Sequence, residues 1–129
     1  MACAPTSRPT IHAITRNPHG IAVTLNAPAA FRFTAQACPQ RHLWTAQLLG
    51  VDTAHARPED AGQILAGAVG DLMRRTGMPN GLSAVGYGPG DVEQLVAGTL
   101  AQQRLTKLSP RAVDAAGLRS VFMDAMTIW

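Results

Sequence analysis

The stretch that decides the fold class is residues 58–77, which read PEDAGQILAGAVGDLMRRTG. Its apolar residues recur every three or four positions and form one helical stripe: Ala61, Ile64, Leu65, Ala68, Val69 and Leu72. Pro58 suits the first helical position, and the two acidic residues that follow it complement the helix dipole. Two arginines in the last turn, followed by Gly77, indicate where the helix ends. We therefore expect an amphipathic helix here.

Similar patterns predict three further helices. Pro39 fits the first position of a short helix that ends at a left-handed Gly50. Asp91 and Gln94 resemble a capping box at the start of the next helix. Its apolar stripe comprises Val92, Leu95, Val96, Thr99 and Leu100. A last helix follows residues 109–110, and its apolar face comprises Leu118, Val121, Phe122, Ala125, Met126 and Trp129.

Four helical stripes without a convincing hairpin predict an all-α fold, a helical bundle. Residues 20–33 allow two interpretations, because Ile21, Val23 and Leu25 alternate as in a strand whereas other apolar residues there could share a helix face. Pro28 argues against a long unkinked helix. Residues 1–16, which contain two prolines, are expected to form a flexible N-terminal segment that precedes a single domain at 17–129.

The amino-acid composition and charge of the chain argue against some classes of function. The 129 residues are 47% hydrophobic and 15% charged, against about 25% charged in an ordinary domain, so a surface that a partner covers is expected. The net charge of +3 comes from scattered basic residues, which argues against nucleic-acid binding. No apolar run approaches the roughly 18 residues of a membrane span. Two cysteines without a secretory signal, Cys3 and Cys38, favour reduced thiols in the cytoplasm.

Short motifs give little chemistry by themselves. The run Gly86-Tyr87-Gly88-Pro89-Gly90 has neither a preceding strand nor a P-loop lysine, so it is interpreted as a loop leading into a helix and not as a phosphate cradle. The histidines are irregularly spaced and match no zinc motif. Each is expected to be a surface or capping residue: His12, His19, His42 and His55.

A resemblance to a known family is carried by seven segments in order. They are PHG at 18–20, APAAFRFT at 27–34, RHL at 41–43, LLGVDT at 48–53, PNGLSAVGY at 79–87, LVAGTL at 95–100 and RLTKLSPR at 104–111. Together they resemble the C-terminal part of iron-containing alcohol dehydrogenases, and within that family the hydroxyacid-oxoacid transhydrogenase branch. The resemblance runs from about Asn17 to Trp129 without large gaps, whereas residues 1–16 match poorly.

The resemblance implies an all-helical C-terminal domain of the dehydroquinate synthase-like fold. Complete enzymes of the family also have an N-terminal nucleotide-binding domain, with iron(II) or another divalent metal held in the cleft by one aspartate and three histidines. His19 matches the last of those histidines, and residues 20–33 should be helical. The NAD-binding segment and the other three ligands would lie upstream of residue 1, so this chain is expected to lack the NAD site.

Two functions follow as hypotheses. The first is a C-terminal fragment of an iron-dependent, nicotinamide-linked alcohol dehydrogenase or hydroxyacid-oxoacid transhydrogenase, inactive alone because a catalytic metal needs about three protein ligands. The second is a non-catalytic helical module whose exposed apolar face binds a separate nucleotide-binding chain or a second copy. A truncated gene product with a replaced start is a third possibility.

Overall fold

The computed structural model describes residues 18–129, so the prediction about residues 1–16 lies outside it. The described chain forms six α-helices: α1 His19–Ala35, α2 Pro39–Leu48, α3 Ala61–Arg75, α4 Val92–Leu100, α5 Gln103–Thr106 and α6 Ala115–Asp124. Short 3-10 turns occupy Pro58–Asp60, Leu82–Val85 and Pro89–Asp91. Because this range contains helices and no strand, the predicted all-α fold is confirmed; α5 was not predicted.

Helix α1 settles the open interpretation of residues 20–33, which are helical throughout. Pro28 lies inside α1 and does not end it, although proline removes one backbone hydrogen bond from a helix. Leu25 and Pro28 are the largest fully buried side chains of the described chain. Burial of this apolar surface offsets the lost hydrogen bond, which is why the long helix persists.

Two apolar clusters hold the helices together. The larger joins α1, α3, α4 and α6, and its buried members are Leu25, Ala29, Met73, Leu82, Val92, Leu95, Val96, Leu118, Phe122, Ala125 and Met126. The smaller joins α1, α2 and α3 through Ala35, Leu43 and Ala61. Helix α3 packs extensively on both α1 and α2, so it connects the two clusters. Among residues 18–129, no helix combines the length and apolar character needed to cross a membrane.

The buried face of α3 differs from the predicted stripe. Ala61 and Leu65 are buried as expected, but Leu72 is 45% exposed. The remaining buried positions are Gly62, Ala66, Gly70 and Met73. At Gly62 the absence of a side chain allows α1 to approach closely, because a Cβ there would lie 2.9 Å from Ala35 Cβ. The helix is therefore turned about its own axis, so that the face it buries differs from the apolar stripe predicted from hydrophobicity alone.

Helix ends were predicted with mixed success. Gly50 and Gly77 have φ angles of +91° and +73°, which confirms them as left-handed ends of α2 and α3. The capping box of Asp91 with Gln94 is wrong, since Asp91 Oδ2 instead accepts a hydrogen bond of 2.8 Å from the Gly88 N–H. The predicted last helix ends earlier than expected, at Asp124. Four members of its predicted apolar face are buried, Leu118, Phe122, Ala125 and Met126, whereas Val121 is half-buried and Trp129 is 37% exposed.

A turn at residues 79–83 fixes the segment that follows α6. Asn80 Oδ1 accepts hydrogen bonds from the backbone N–H groups of Ile128 and Trp129, at 2.8 and 3.0 Å, and its Nδ2 donates to the Trp129 carbonyl. The Leu82 N–H donates to the Ala125 carbonyl at 2.9 Å. These bonds satisfy backbone groups beyond the helix end that would otherwise lack partners.

Candidate functional site

His19, the candidate metal ligand, is the first residue of α1 and is exposed. The start of the helix is fixed by its backbone, because the Pro18 carbonyl accepts hydrogen bonds from the Ile21 and Ala22 N–H groups at 2.9 and 3.2 Å. Within residues 18–129 nothing hydrogen-bonds to the His19 imidazole. Both ring nitrogens are therefore accessible to a ligand from outside the described chain.

The described side chains do not complete a metal site around His19. Within residues 18–129, no group of three or more histidine, cysteine, aspartate or glutamate side chains could hold a metal ion. A catalytic divalent metal requires about three protein ligands, and the structure offers one imidazole here. The donor set of this part of the chain thus fits a single ligand position and not a whole cage. His12 lies outside the described residues.

His42 was predicted to be a surface or capping residue, but it is only 7% exposed. Its Nε2 lies 3.0 Å from Thr34 Oγ1 and its Nδ1 lies 2.9 Å from the Cys38 carbonyl oxygen. Phe31 contacts the ring edge-to-face, with centroids 6.0 Å apart. His42 precedes the buried Ala46 by four residues, so helical spacing could have placed it inside. Its role is to join α2 to the end of α1. His55 is exposed, as predicted.

Cys38 is a free thiol, as expected, and it is half-buried at the start of α2. Its Sγ lies 3.6 Å from the Thr34 carbonyl oxygen and 3.6 Å from His42 Nδ1. The thiol therefore belongs to the same polar cluster that closes the turn between α1 and α2. Cys3 lies outside the described residues.

Sequence reasoning missed two arginines that line one cavity, Arg32 of α1 and Arg111. Arg32 donates from Nε to Gln63 Oε1 and from Nη1 to Asp124 Oδ2, both at 2.8 Å. Arg111 donates from Nη1 to the Phe33 carbonyl at 3.1 Å, and its guanidinium lies 4.2 Å from the centre of the Phe33 ring. Both arginines line a cavity of about 270 Å³.

The shifted pKa values have structural causes. Arg119 donates two hydrogen bonds to the Glu93 carboxylate, at 2.5 and 2.9 Å. Those bonds, more than the charge attraction, lower the pKa of Glu93, and the pair joins α4 to α6. Burial raises the pKa of Tyr87, and the negative charge of Asp91 adds to that effect. Each shift is explained without a catalytic role.

The glycine-rich run 86–90 leads into α4, as predicted. The Gly88 N–H, which a phosphate cradle would direct at its ligand, donates instead to the carboxylate of Asp91. A carboxylate in that position repels a phosphate group. The loop therefore acts as a turn that orients the start of α4.

An exposed apolar surface lies on α2 and α3. We define this α2–α3 patch by Trp44, Leu48, Leu49 and Leu72, which are 63%, 70%, 47% and 45% exposed. Leu49 and Leu72 line one shallow cavity of about 210 Å³, so the two helices contribute to one surface. Groups of exposed apolar side chains are typical of interaction sites in soluble proteins.

Comparisons with known proteins agree with this architecture. The family model described as "Fe-containing alcohol dehydrogenase family, C-terminal" matches residues 9–126. The chain is 46% identical over 112 residues to the probable mitochondrial hydroxyacid-oxoacid transhydrogenase of Dictyostelium discoideum, covering 87% of this chain and 20% of that protein. The Homo sapiens mitochondrial hydroxyacid-oxoacid transhydrogenase is 44% identical over 112 residues, covering 87% of this chain and 24% of the relative.

Among solved structures, the crystal structure of 1,3-propanediol oxidoreductase superposes with a TM-score of 0.79 at 22% sequence identity. The match covers 89% of this chain and 30% of that one, so it establishes a shared helical fold. The chain spans between a fifth and a quarter of the length of the curated relatives it matches.

Proposed function

The chain belongs to the Fe-containing alcohol dehydrogenase family, and we propose that it is the C-terminal part of an iron-dependent, nicotinamide-linked oxidoreductase of the hydroxyacid-oxoacid transhydrogenase type. The observation that carries this proposal is the 46% identity over 112 residues to a relative of that name. The identity extends over 87% of the chain, so it is not confined to one or two of the helices.

In this proposal His19 supplies one imidazole ligand to a divalent metal, and the other ligands come from a nucleotide-binding half. The exposed position of His19 at the first residue of α1 supports this role, since a ligand shared between two structural units must lie at a surface. The chain alone is expected to be inactive, because one imidazole cannot hold a catalytic metal.

A complementation experiment tests this proposal. The nucleotide-binding half of the Dictyostelium discoideum relative, expressed without its own C-terminal region, is mixed with this chain, iron(II) and NAD. We expect oxidation of 4-hydroxybutyrate or a simple alcohol by the mixture and not by either part. His19→Ala should abolish the activity, whereas the matched variant His55→Ala, also at an exposed histidine, should retain it.

The outcomes separate the parts of the proposal. Activity of this chain alone would contradict its inactivity. Equal complementation by wild type and His19→Ala would contradict the proposal that His19 is a metal ligand. A stable complex of the two halves without activity, shown by size-exclusion chromatography, would contradict the oxidoreductase function and leave the association intact.

The α2–α3 patch favours a second function, a non-catalytic helical module that binds a separate nucleotide-binding chain or a second copy. Leu48→Glu places a charge on the most exposed residue of this patch and should weaken association at least about tenfold, since burying an unpaired charge is costly. Leu105→Glu is the matched control, because Leu105 is also exposed, at 58%, but lies on α5, outside the patch and on a different helix from His19. A chain that stays monomeric at all concentrations and does not bind the nucleotide-binding half contradicts this function.

We also propose a cytoplasmic location, on the basis of the low cysteine content, Cys3 and Cys38, and of Cys38 being a free thiol. The curated relatives named above are called mitochondrial, so the location needs its own measurement. Cell fractionation should place the chain with a cytoplasmic marker. Co-fractionation with a mitochondrial matrix marker would contradict the proposal.

A further inference from the structure

A charged cavity lies at the opposite end of α1 from His19. Arg32 is 13 residues further along the helix, which corresponds to about 20 Å at 1.5 Å per residue. The cavity has a volume of about 270 Å³ and lies between α1, residue 111 and α6. The polar side chains that line it are Arg32, Gln36, Arg111, Ser120 and Asp124.

Arg111 is held in place but retains free hydrogen-bond donors. Its Nη1 donates to the Phe33 carbonyl, and its guanidinium stacks 4.2 Å from the Phe33 ring centre. Within residues 18–129, no carboxylate lies within ion-pair distance of Arg111. A guanidinium carries five N–H donors, so most of those on Arg111 remain available. This half-buried arginine is therefore a fixed and uncompensated positive charge.

Arg32 is also held in a fixed orientation on the same cavity. Gln63 and Asp124 accept hydrogen bonds from its Nε and Nη1, and its side chain is 27% exposed. The Nη2 group stays free within the described chain. The two arginines and the one aspartate give the cavity a net charge of +1.

We propose that this cavity binds a compact oxyanion, a carboxylate or phosphate group, between the guanidinium groups of Arg32 and Arg111. Planar guanidinium groups match the geometry of two such oxygens, and the Ser120 hydroxyl and the Gln36 amide add neutral donors. The volume lies just below the 300–1,000 Å³ of ordinary small-molecule sites, which favours a small anion over a nucleotide. The inference does not depend on the proposed oxidoreductase function.

Isothermal titration calorimetry of the purified chain tests the site directly. Inorganic phosphate and malonate are titrated separately, with ionic strength held constant by chloride, because surface charges bind anions in a salt-dependent way. We expect saturable binding to the wild type. Arg111→Gln should weaken it about tenfold, the scale of one charge-assisted hydrogen bond. Arg104→Gln, which removes the same charge from the exposed helix α5, should leave it unchanged.

A second variant tests whether the cavity binds an oxyanion or whether Arg32 serves only to form the ion pair with Asp124. Asp124→Asn removes the carboxylate that competes for Arg32, so it should tighten oxyanion binding several-fold even where it lowers thermal stability. If Arg111→Gln does not fold, as judged by circular dichroism, Arg111→Lys keeps the charge, loses the planar fork, and should weaken binding several-fold.

The result that would overturn the proposal is an absence of saturable binding to the wild type. Equal affinity of the wild type, the Arg111 variants and Arg104→Gln would overturn it as well, since it would indicate nonspecific surface charge. Binding of phosphate without malonate, or the reverse, supports the site and identifies which oxyanion group it accepts.

Discussion

At the residue scale, His42 is the polar side chain on which the α1–α2 junction depends most. It is the buried polar residue of the described core, and both of its ring nitrogens lie within 3.0 Å of an oxygen from the end of α1 or the turn after it. A buried polar group costs free energy unless it is hydrogen-bonded. Its partners are therefore as important to stability as the ring itself.

Replacing His42 with alanine should lower the free energy of unfolding by about 2–4 kcal/mol, because it leaves a cavity and removes hydrogen bonds from buried groups. Urea unfolding followed by circular dichroism measures the loss. His55→Ala, at an exposed histidine, is the control and should change stability by less than about 0.5 kcal/mol. Similar losses in the two variants would show that burial of His42 contributes little.

The Glu93–Arg119 ion pair predicts a pH dependence of definite sign. The folded state lowers the pKa of Glu93, so the contribution of the pair is present above the ordinary glutamate pKa and is lost as the pH falls below about 4. Wild type should therefore be more stable than Glu93→Gln at neutral pH, and the difference should shrink at about pH 3. A difference in unfolding midpoint that is constant between the two pH values would contradict this assignment.

At the element scale, the contact between α1 and α3 depends on the absence of a side chain at Gly62. A Cβ there would lie 2.9 Å from Ala35 Cβ and 3.0 Å from Arg32 Cα. The second neighbour is backbone, so the added atom could be accommodated only by moving one helix relative to the other. Close helix packing at small residues thus fixes the distance between α1 and α3.

Gly62→Ala should destabilise the chain by about 1–3 kcal/mol, the usual cost of overpacking. Gly67→Ala is the matched control in the same helix, where an added Cβ meets nothing within 4 Å. It should stabilise the chain by about 0.5–1 kcal/mol through helix propensity. Thermal unfolding of both variants measures the contrast. A stabilised Gly62→Ala would mean that the helices separate without cost.

Local chemistry explains which elements the sequence could predict. Helix ends depend on the backbone geometry of single residues, here Pro39 at the start of α2, Gly50 after α2 and Gly77 after α3. The residue type alone therefore predicts where these helices begin or end. The exposure of Leu72 could not be predicted, because it depends on how closely a distant helix packs. His19 was identified through resemblance, not through spacing. Arg32 and Arg111 line one cavity although they are far apart in sequence, and no local pattern brings them together.

At the scale of the whole molecule, α3 packs on helices of both apolar clusters, so we expect the two clusters to unfold as one cooperative unit. Leu25 belongs to the larger cluster and is 1% exposed. A substitution there should therefore destabilise the whole described chain. Leu25→Ala should cost about 3–5 kcal/mol and shift the transitions seen by circular dichroism and by tryptophan fluorescence together. Val23→Ala, at a 55% exposed position of the same helix, should change both by less than about 0.5 kcal/mol. Separate transitions would mean that the clusters unfold independently.

The ion pair between Arg32 and Asp124 joins residues 92 positions apart, and this separation has a consequence for how the chain folds. Closing a longer loop costs more conformational entropy and slows folding. Helices α1, α2 and α3 can assemble from neighbouring segments as soon as they leave the ribosome. Helix α6 can dock only after nearly the whole described chain has been synthesised, so we expect the larger cluster, which includes Leu118 and Phe122 of α6, to close after α1, α2 and α3 have packed together.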